Sequence, residues 1–345
     1  MSQTSSQAMG AKAKAMYGEG LKEADYHELL RRNNVQEIAS YLKNETSFRD
    51  VLSGINEATI HRGFLEILIR QKYYLDFLRL IKYGDVAKSK FYRYGIMTIE
   101  INQILFTIRN LNEPDRTNQI AQLPMFANSM TSFDMQVLVK ITSFDELLEF
   151  FKKTPYYEIL RPYRPKTNDD LDYASCEIAL RKYYFRYINQ LIAQEFSGQE
   201  RELLNDLFDT RVELENLSAI YRLKKYYKST SAQIKKMINP TFLHIPKKTL
   251  FQWIESKSPD ELLEAYKHSY YRIQFEQRDY VYIEHAMDRV QFETNKRILR
   301  FAQNPDITLV AYLSLLEIEI QNVIDIIEGV RYRVDRERIA KLLIY

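Results

Sequence analysis

Nine glutamates are the first residues in this sequence that could do chemistry, because they recur in a fixed order: Glu37, Glu66, Glu100, Glu146, Glu177, Glu213, Glu261, Glu284 and Glu319. Carboxylates on facing helices can hold a pair of metal ions when two helices also supply Glu-x-x-His pairs. The five histidines, His27, His61, His244, His268 and His285, do not complete that pattern. None lies three residues after a glutamate, and no His-Glu-x-x-His occurs. The glutamates therefore read as partly buried groups bonded to a neighbouring helix or its terminus, since an unpaired carboxylate in such a place is costly.

Other devices are missing as well. The chain has neither a Gly-x-x-x-x-Gly-Lys loop nor a Gly-x-Gly-x-x-Gly turn to cradle phosphate, and no Gly-x-Ser-x-Gly elbow. Cys176, the single cysteine, has no histidine beside it to activate the thiol, so it reads as small core filler in a reducing compartment. We expect no catalytic residue, cofactor, metal or small-molecule substrate. The basic and aromatic run Arg222, Lys224, Lys225, Tyr226, Tyr227 and Lys228 could neutralise and stack on nucleic acid. It reads better as the solvated end of a helix, where cations suit the dipole. Lys plus Arg exceed Asp plus Glu by only 49 to 46, too diffuse an excess for a nucleic-acid footprint.

The elements that must position these glutamates are helices. Only nine glycines and nine prolines interrupt 345 residues, and the aromatics recur at three- and four-residue spacing, as in Phe64, Leu68, Tyr73 and Phe77. We expect an all-α protein. The segments IEINQILFTIR (Ile99 to Arg109), VELENLSAIYR (Val212 to Arg222) and IEIQNVIDIIE (Ile318 to Glu328) align on Glu100, Glu213 and Glu319. In each, the residues one, four and eight places after the glutamate are apolar or aromatic, which makes one helix face. An amide follows three places on, at Gln103, Asn216 and Asn322.

A second element, centred on Glu66, Glu177 and Glu284, precedes each of these and carries Tyr74, Phe185 or Phe292 eight residues further on. A third opens each unit: NNVQEIASYLKN, TSFDELLEFFKK and KSPDELLEAYKH, aligned on Glu37, Glu146 and Glu261. Ser143 and Ser258 stand in capping-box spacing to their glutamates, and Asn34 takes that place in the first copy. The order never changes, so we expect three helical modules at residues 1–113, 114–239 and 240–345, with proline-containing links near Asn112 to Met130 and Asn239 to Thr249. The N-terminal segment lacks the hydrophobic run of a secretory signal, and no run of about 18 uninterrupted apolar residues occurs, so a cytoplasmic protein is expected.

The opening AKAKAMYGEGLKEADYHELLRRNNVQEIASYLKN, the ELENLSAIYR core and the ending LEIEIQNVIDIIEGVRYRVDRERIAKLLIY together resemble the C-type subunit of bacterial and archaeal V-type ATPases, the counterpart of the d-type subunit of eukaryotes. The resemblance covers essentially the whole chain. It implies three similar helical domains in a funnel-like, pseudo-threefold body. It also implies a non-catalytic central-stalk protein, peripheral on the cytoplasmic face of the membrane. The partners it implies are the central axle subunits of D and F type and the membrane rotor ring of c/K-type subunits, with no nucleic acid. ATP hydrolysis or synthesis would then be coupled to proton or sodium transport.

Arg109, Arg222, Lys224 and Lys225 are the candidate contacts to the axle. Two departures are visible: Lys12 and Lys14 stand where the family tends to carry arginine, and Glu328 stands where the first two copies have Arg109 and Arg222. Two other readings are a free-standing helical repeat adaptor, which would not need the matching termini, and a carboxylate-bridged metalloenzyme, which would bind iron or manganese.

Overall fold

Local sequence starts three of the helices as expected. Asn34, Ser143 and Ser258 each accept a hydrogen bond from the backbone N–H of Glu37, Glu146 and Glu261, three residues on. The glutamates answer in kind. Glu261 accepts from the Ser258 N–H at 2.7 Å, closing a full capping box, whereas Glu37 and Glu146 reach one residue further back, to the amides of Asn33 and Thr142, each at 2.9 Å. The three helices that these caps open are short and amphipathic.

A computed structural model describes residues 3–84, 89–111, 124–166, 170–241, 244–272 and 283–345. Among them the fold is all-α, with no strand. In chain order the longer helices are α1 (Gln3–Gly18), α2 (Glu23–Arg31), α3 (Val35–Glu45), α4 (Arg62–Tyr83), α5 (Arg93–Arg109), α6 (Phe144–Phe151) and α7 (Pro155–Leu160). They continue with α8 (Tyr173–Glu195), α9 (Gly198–Lys225), α10 (Ser231–Met237), α11 (Lys247–Ser256) and α12 (Pro259–Lys267), then α13 (Ile283–Phe301), α14 (Pro305–Arg331) and α15 (Arg336–Ala340). The expected link after Asn112 lies mostly outside the described residues, as does the expected boundary between 113 and 114.

The chain divides into two compact units. One comprises residues 1–88, 202–236 and 240–345. Its centre is α14, a 27-residue helix against which α1, α4 and α13 pack. Asn304 caps α14 and Pro305 occupies its first turn, where the missing N–H costs nothing. By length and composition α14 could cross a bilayer, yet 83% of its apolar window is buried in protein. Gly329 lets Ile339 of α15 approach so closely that a Cβ would lie 2.4 Å from the isoleucine methyl.

The other unit comprises residues 89–201 and 237–239. Here α8 packs along α5, and α7 packs on both α6 and α8. Its core joins Ile104 and Ile108 of α5 to Leu147 and Phe151 of α6 and to Leu180 of α8, with Cys176 enclosed among them. Burial pushes the Cys176 thiol up to about 12, so it stays protonated and packs as an apolar group.

The nine stripe residues flanking the third set of glutamates are all buried: Ile101, Ile104, Ile108, Leu214, Leu217, Tyr221, Ile320, Val323 and Ile327. The helical face drawn from spacing alone is the face that the fold covers.

Candidate functional site

The nine repeated glutamates do not converge on one centre. They divide by element into three jobs, and the first is the capping already described for Glu37, Glu146 and Glu261. The second set sits on long helices in ion pairs. Glu66 pairs with Arg62 at 2.8 Å, Glu177 with Arg181 at 2.8 Å, and Glu284 with Arg222 at 3.0 Å. Burial raises the Glu66 carboxyl pKa, against the opposing pull of Arg62.

The third set makes clasps. Glu100 and Glu213 have no exposed side-chain surface, and Glu319 is partly buried. Each accepts a backbone N–H from the stretch that precedes the next capped helix. Glu100 takes the Ser132 amide at 2.5 Å. Glu213 takes the amides of His244 at 3.1 Å and Ile245 at 2.8 Å. Glu319 takes the amide of Leu21 at 2.8 Å, so the last copy reaches back to the first stretch of the chain. In all three cases the donors lie 14 to 17 residues ahead of the capping glutamate that follows them.

Side chains complete each clasp differently. Arg93 bonds Glu100 at 2.6 Å, and Tyr156 donates its hydroxyl to the same carboxylate at 2.5 Å. Tyr271 donates to Glu213 at 2.6 Å. The His244 ring lies 3.3 Å from Glu213 and 2.8 Å from Asp206, and stacks on Tyr270 at 4.2 Å. Hydrogen bonds to Asp206, then Glu213, hold the His244 imidazole as a cation, its pKa pushed up to about 9. Among the described residues Glu319 accepts from Leu21 and from no tyrosine hydroxyl. Gly20 passes so near that a Cβ there would sit 2.6 Å from the carboxylate, and burial raises the Glu319 pKa while Lys72 opposes it. Lys72 is itself buried against Asp76 at 2.9 Å, and Tyr312 donates to Asp76 at 2.9 Å.

Spacing from the capping glutamates missed Tyr156 and Tyr271, although both stand ten residues after one, at Glu146 and Glu261. Ser47 takes that place in the first copy, which hid the pattern. His244 and Asp206 left no repeat signal at all. Among the described residues no group of three or more His, Cys, Asp or Glu side chains is arranged to hold a metal ion.

The four cations nominated as axle contacts also have partners within the chain. Arg109 donates to the Tyr173 hydroxyl at 2.8 Å and lies over its ring. Arg222 pairs with Glu284, Lys224 donates to the Lys257 carbonyl at 2.6 Å, and Lys225 donates to the Tyr221 hydroxyl at 2.5 Å. Glu328, the odd residue of its set, pairs with Arg62 at 2.9 Å. These contacts share one logic. The ninth residue after each clasp glutamate meets the second element of the following copy, and where the cation becomes Glu328 its partner becomes Arg62.

This geometry anchors helices through backbone amides. It is accompanied by a family match along almost the whole chain: the ATP synthase (C/AC39) subunit family matches residues 9–342. The chain belongs to that family. A relative named as the C-type subunit of an A-type ATP synthase, from Methanosphaera stadtmanae, is 22% identical over 327 residues, covering 91% of this chain and 80% of its own length. Another of that name, from Methanobrevibacter smithii, is 24% identical over 219 residues, or 62% of this chain and 53% of its own length. Family membership makes this chain an accessory component of an ATP synthase assembly, a membrane-associated complex.

Proposed function

We propose that this chain is a non-catalytic central-stalk subunit of a rotary A/V-type ATPase or ATP synthase. It bridges the axle subunits of D and F type to the membrane ring of c/K-type subunits, from the cytoplasmic side. ATP hydrolysis or synthesis is thereby linked to proton or sodium transport. The observation that carries the reading is the family match over residues 9–342.

Torque gives the clasps a purpose. A coupler passes force without yielding when its weakest joints are costly to open, and a buried carboxylate stripped of its N–H partners costs on the order of several kcal/mol. We read the three clasps as joints between three modules, at 1–113, 114–239 and 240–345, each tied to the start of the next. The last is tied to the first through Glu319 and Leu21.

The axle contact proposed is the end of α9, where Arg222, Lys224 and Lys225 run into Tyr226 and Tyr227, which are 60% and 65% exposed. Arg109 holds the corresponding place on α5. Mixing the purified chain with the two axle subunits of the same organism, followed by size-exclusion chromatography at low and moderate salt, tests the reading. A stoichiometric ternary complex is expected, weakened by Arg222→Glu. Clean separation under both conditions, with all partners folded, would favour the free-standing adaptor instead.

A further inference from the structure

The whole chain carries a formal net charge of +3, and one cleft concentrates that much by itself. The cleft is open to solvent and has a volume of about 510 Å³, between α1 and the last turns of α13. Lys14, Lys296, Arg297 and Arg300 line it, against the single carboxylate of Glu293. Its volume falls within the range of small-molecule sites.

The helix dipole accounts for little of this clustering. Its favourable effect on cations is confined to the last turn, and there Lys14 already donates to the Ala302 carbonyl at 2.7 Å. Lys296 and Arg297 stand further back. Among the described residues, Lys296, Arg297 and Arg300 form no ion pair, although Glu293 is three and four residues from the first two. Like charges at these helical spacings repel, so the arrangement costs stability unless an anion sits among them. Two of the charged heads lie over rings: the Lys296 ammonium is 4.9 Å from the centre of the Phe292 ring, and the Arg300 guanidinium 5.4 Å from that of Phe301. Phe301 is 70% exposed beside them, an apolar surface at the mouth of a cationic cleft. Tyr17, also in the lining, keeps its phenolic proton because burial first, then Glu319 and Glu293, raise its pKa.

We propose that this cleft binds a phosphate-bearing ligand, with the phosphate held by Lys296, Arg297 and Arg300 and the ligand's apolar portion laid against Phe301. The arginine forks suit phosphate oxygens, the lysine adds a point charge, and the Tyr17 hydroxyl is a further donor. A phospholipid headgroup and a soluble organic phosphate share this chemistry. The site stands independently of the rotor reading, since it rests on side chains that the axle contact does not use.

The full-length chain is titrated calorimetrically with inorganic pyrophosphate at low salt. In parallel it is floated with vesicles of pure phosphatidylcholine and with vesicles that also contain phosphatidylglycerol. The parent is expected to bind pyrophosphate at one site, or the mixed vesicles but not the pure ones. The variant Lys296→Gln, Arg297→Gln, Arg300→Gln is expected to bind about tenfold more weakly or worse. Binding to pyrophosphate alone identifies a soluble phosphate as the ligand; binding to mixed vesicles alone identifies a lipid headgroup. A second variant, Lys140→Gln, Lys153→Gln, Lys248→Gln, removes the same charge from exposed positions elsewhere and should bind as the parent does. Absence of binding to either probe, or equal loss in both variants, overturns the proposal.

Discussion

Glu213 meets two backbone amides, a tyrosine hydroxyl and an imidazolium with one buried carboxylate. Replacing it with glutamine turns one acceptor oxygen into a donor and removes the charge, so buried N–H groups lose their partner. Glu213→Gln should cost about 2–3 kcal/mol, read as a lower urea midpoint at unchanged slope. Glu37→Gln, at an exposed cap, should cost about 1 kcal/mol or less. If the two variants unfold at the same urea concentration, the clasp contributes no more than an ordinary cap. Gly20 offers a second comparison at the Glu319 clasp. A Cβ there meets the carboxylate at 2.6 Å and the Tyr17 carbonyl at 3.1 Å, whereas one at Gly54 meets nothing within 4 Å. Gly20→Ala is expected to destabilise by about 1–3 kcal/mol. Gly54→Ala should be neutral or stabilise by up to about 1 kcal/mol, so equal melting shifts for the two would remove the steric argument.

Between elements, the recurring pairs are electrostatic and exposed enough that solvent weakens them. The Arg222 side chain is 49% exposed and that of Glu284 38%, so their coupling should be only about 0.2–1 kcal/mol and fade in high salt. Arg222→Glu and Glu284→Arg should each destabilise alone, while the double reversal recovers most of the loss; strictly additive effects would show that the pair does not interact. The double variant also separates folding from axle binding, because it restores the internal pair without restoring the cation. At this scale much was legible in the sequence. The stripe after each clasp glutamate is buried as its spacing requires, and Ser143, Ser258 and Asn34 cap where their positions say they should. The clasp partners were not, for a physical reason: a backbone amide belongs to every residue except proline, so Leu21, Ser132 and Ile245 carry no mark of what they bond. The exchange of Arg222 and Glu284 for Glu328 and Arg62 was hidden likewise, because only contact reveals that a broken symmetry has its complement elsewhere.

For the whole molecule, stability should depend on pH through groups whose proton affinity changes on folding. His244 is raised to about 9, so the folded state holds its proton more tightly. That contribution is complete below the ordinary histidine value near 6.5, and is lost as pH rises through about 9. Asp288 is raised to about 7, by burial first and then by Glu317 and Glu284, so the folded state favours its neutral acid. Its contribution also disappears as pH climbs, between the ordinary aspartate value near 4 and about 7. His285 works in the opposite sense: burial lowers its pKa, and folding loses ground as the unfolded ring protonates below about 6.5. Glu57, Asp172 and Glu261 are lowered by hydrogen bonds and lose their contribution only in acid, below about pH 4. The balance places maximum stability at mildly acidic pH, with a decline towards pH 9. Because His244 and Asp288 belong to the same compact unit, the decline should follow the unfolding of that unit. The melting temperature is expected to fall by about 4 °C between pH 6 and pH 9. In the double variant His244→Gln, Asp288→Asn the slope should largely vanish, measured by calorimetry in buffers of matched ionic strength. A parent whose melting temperature rises over that interval would mean that His244 is neutral in the fold and that its bonds to Asp206 and Glu213 do not hold an imidazolium.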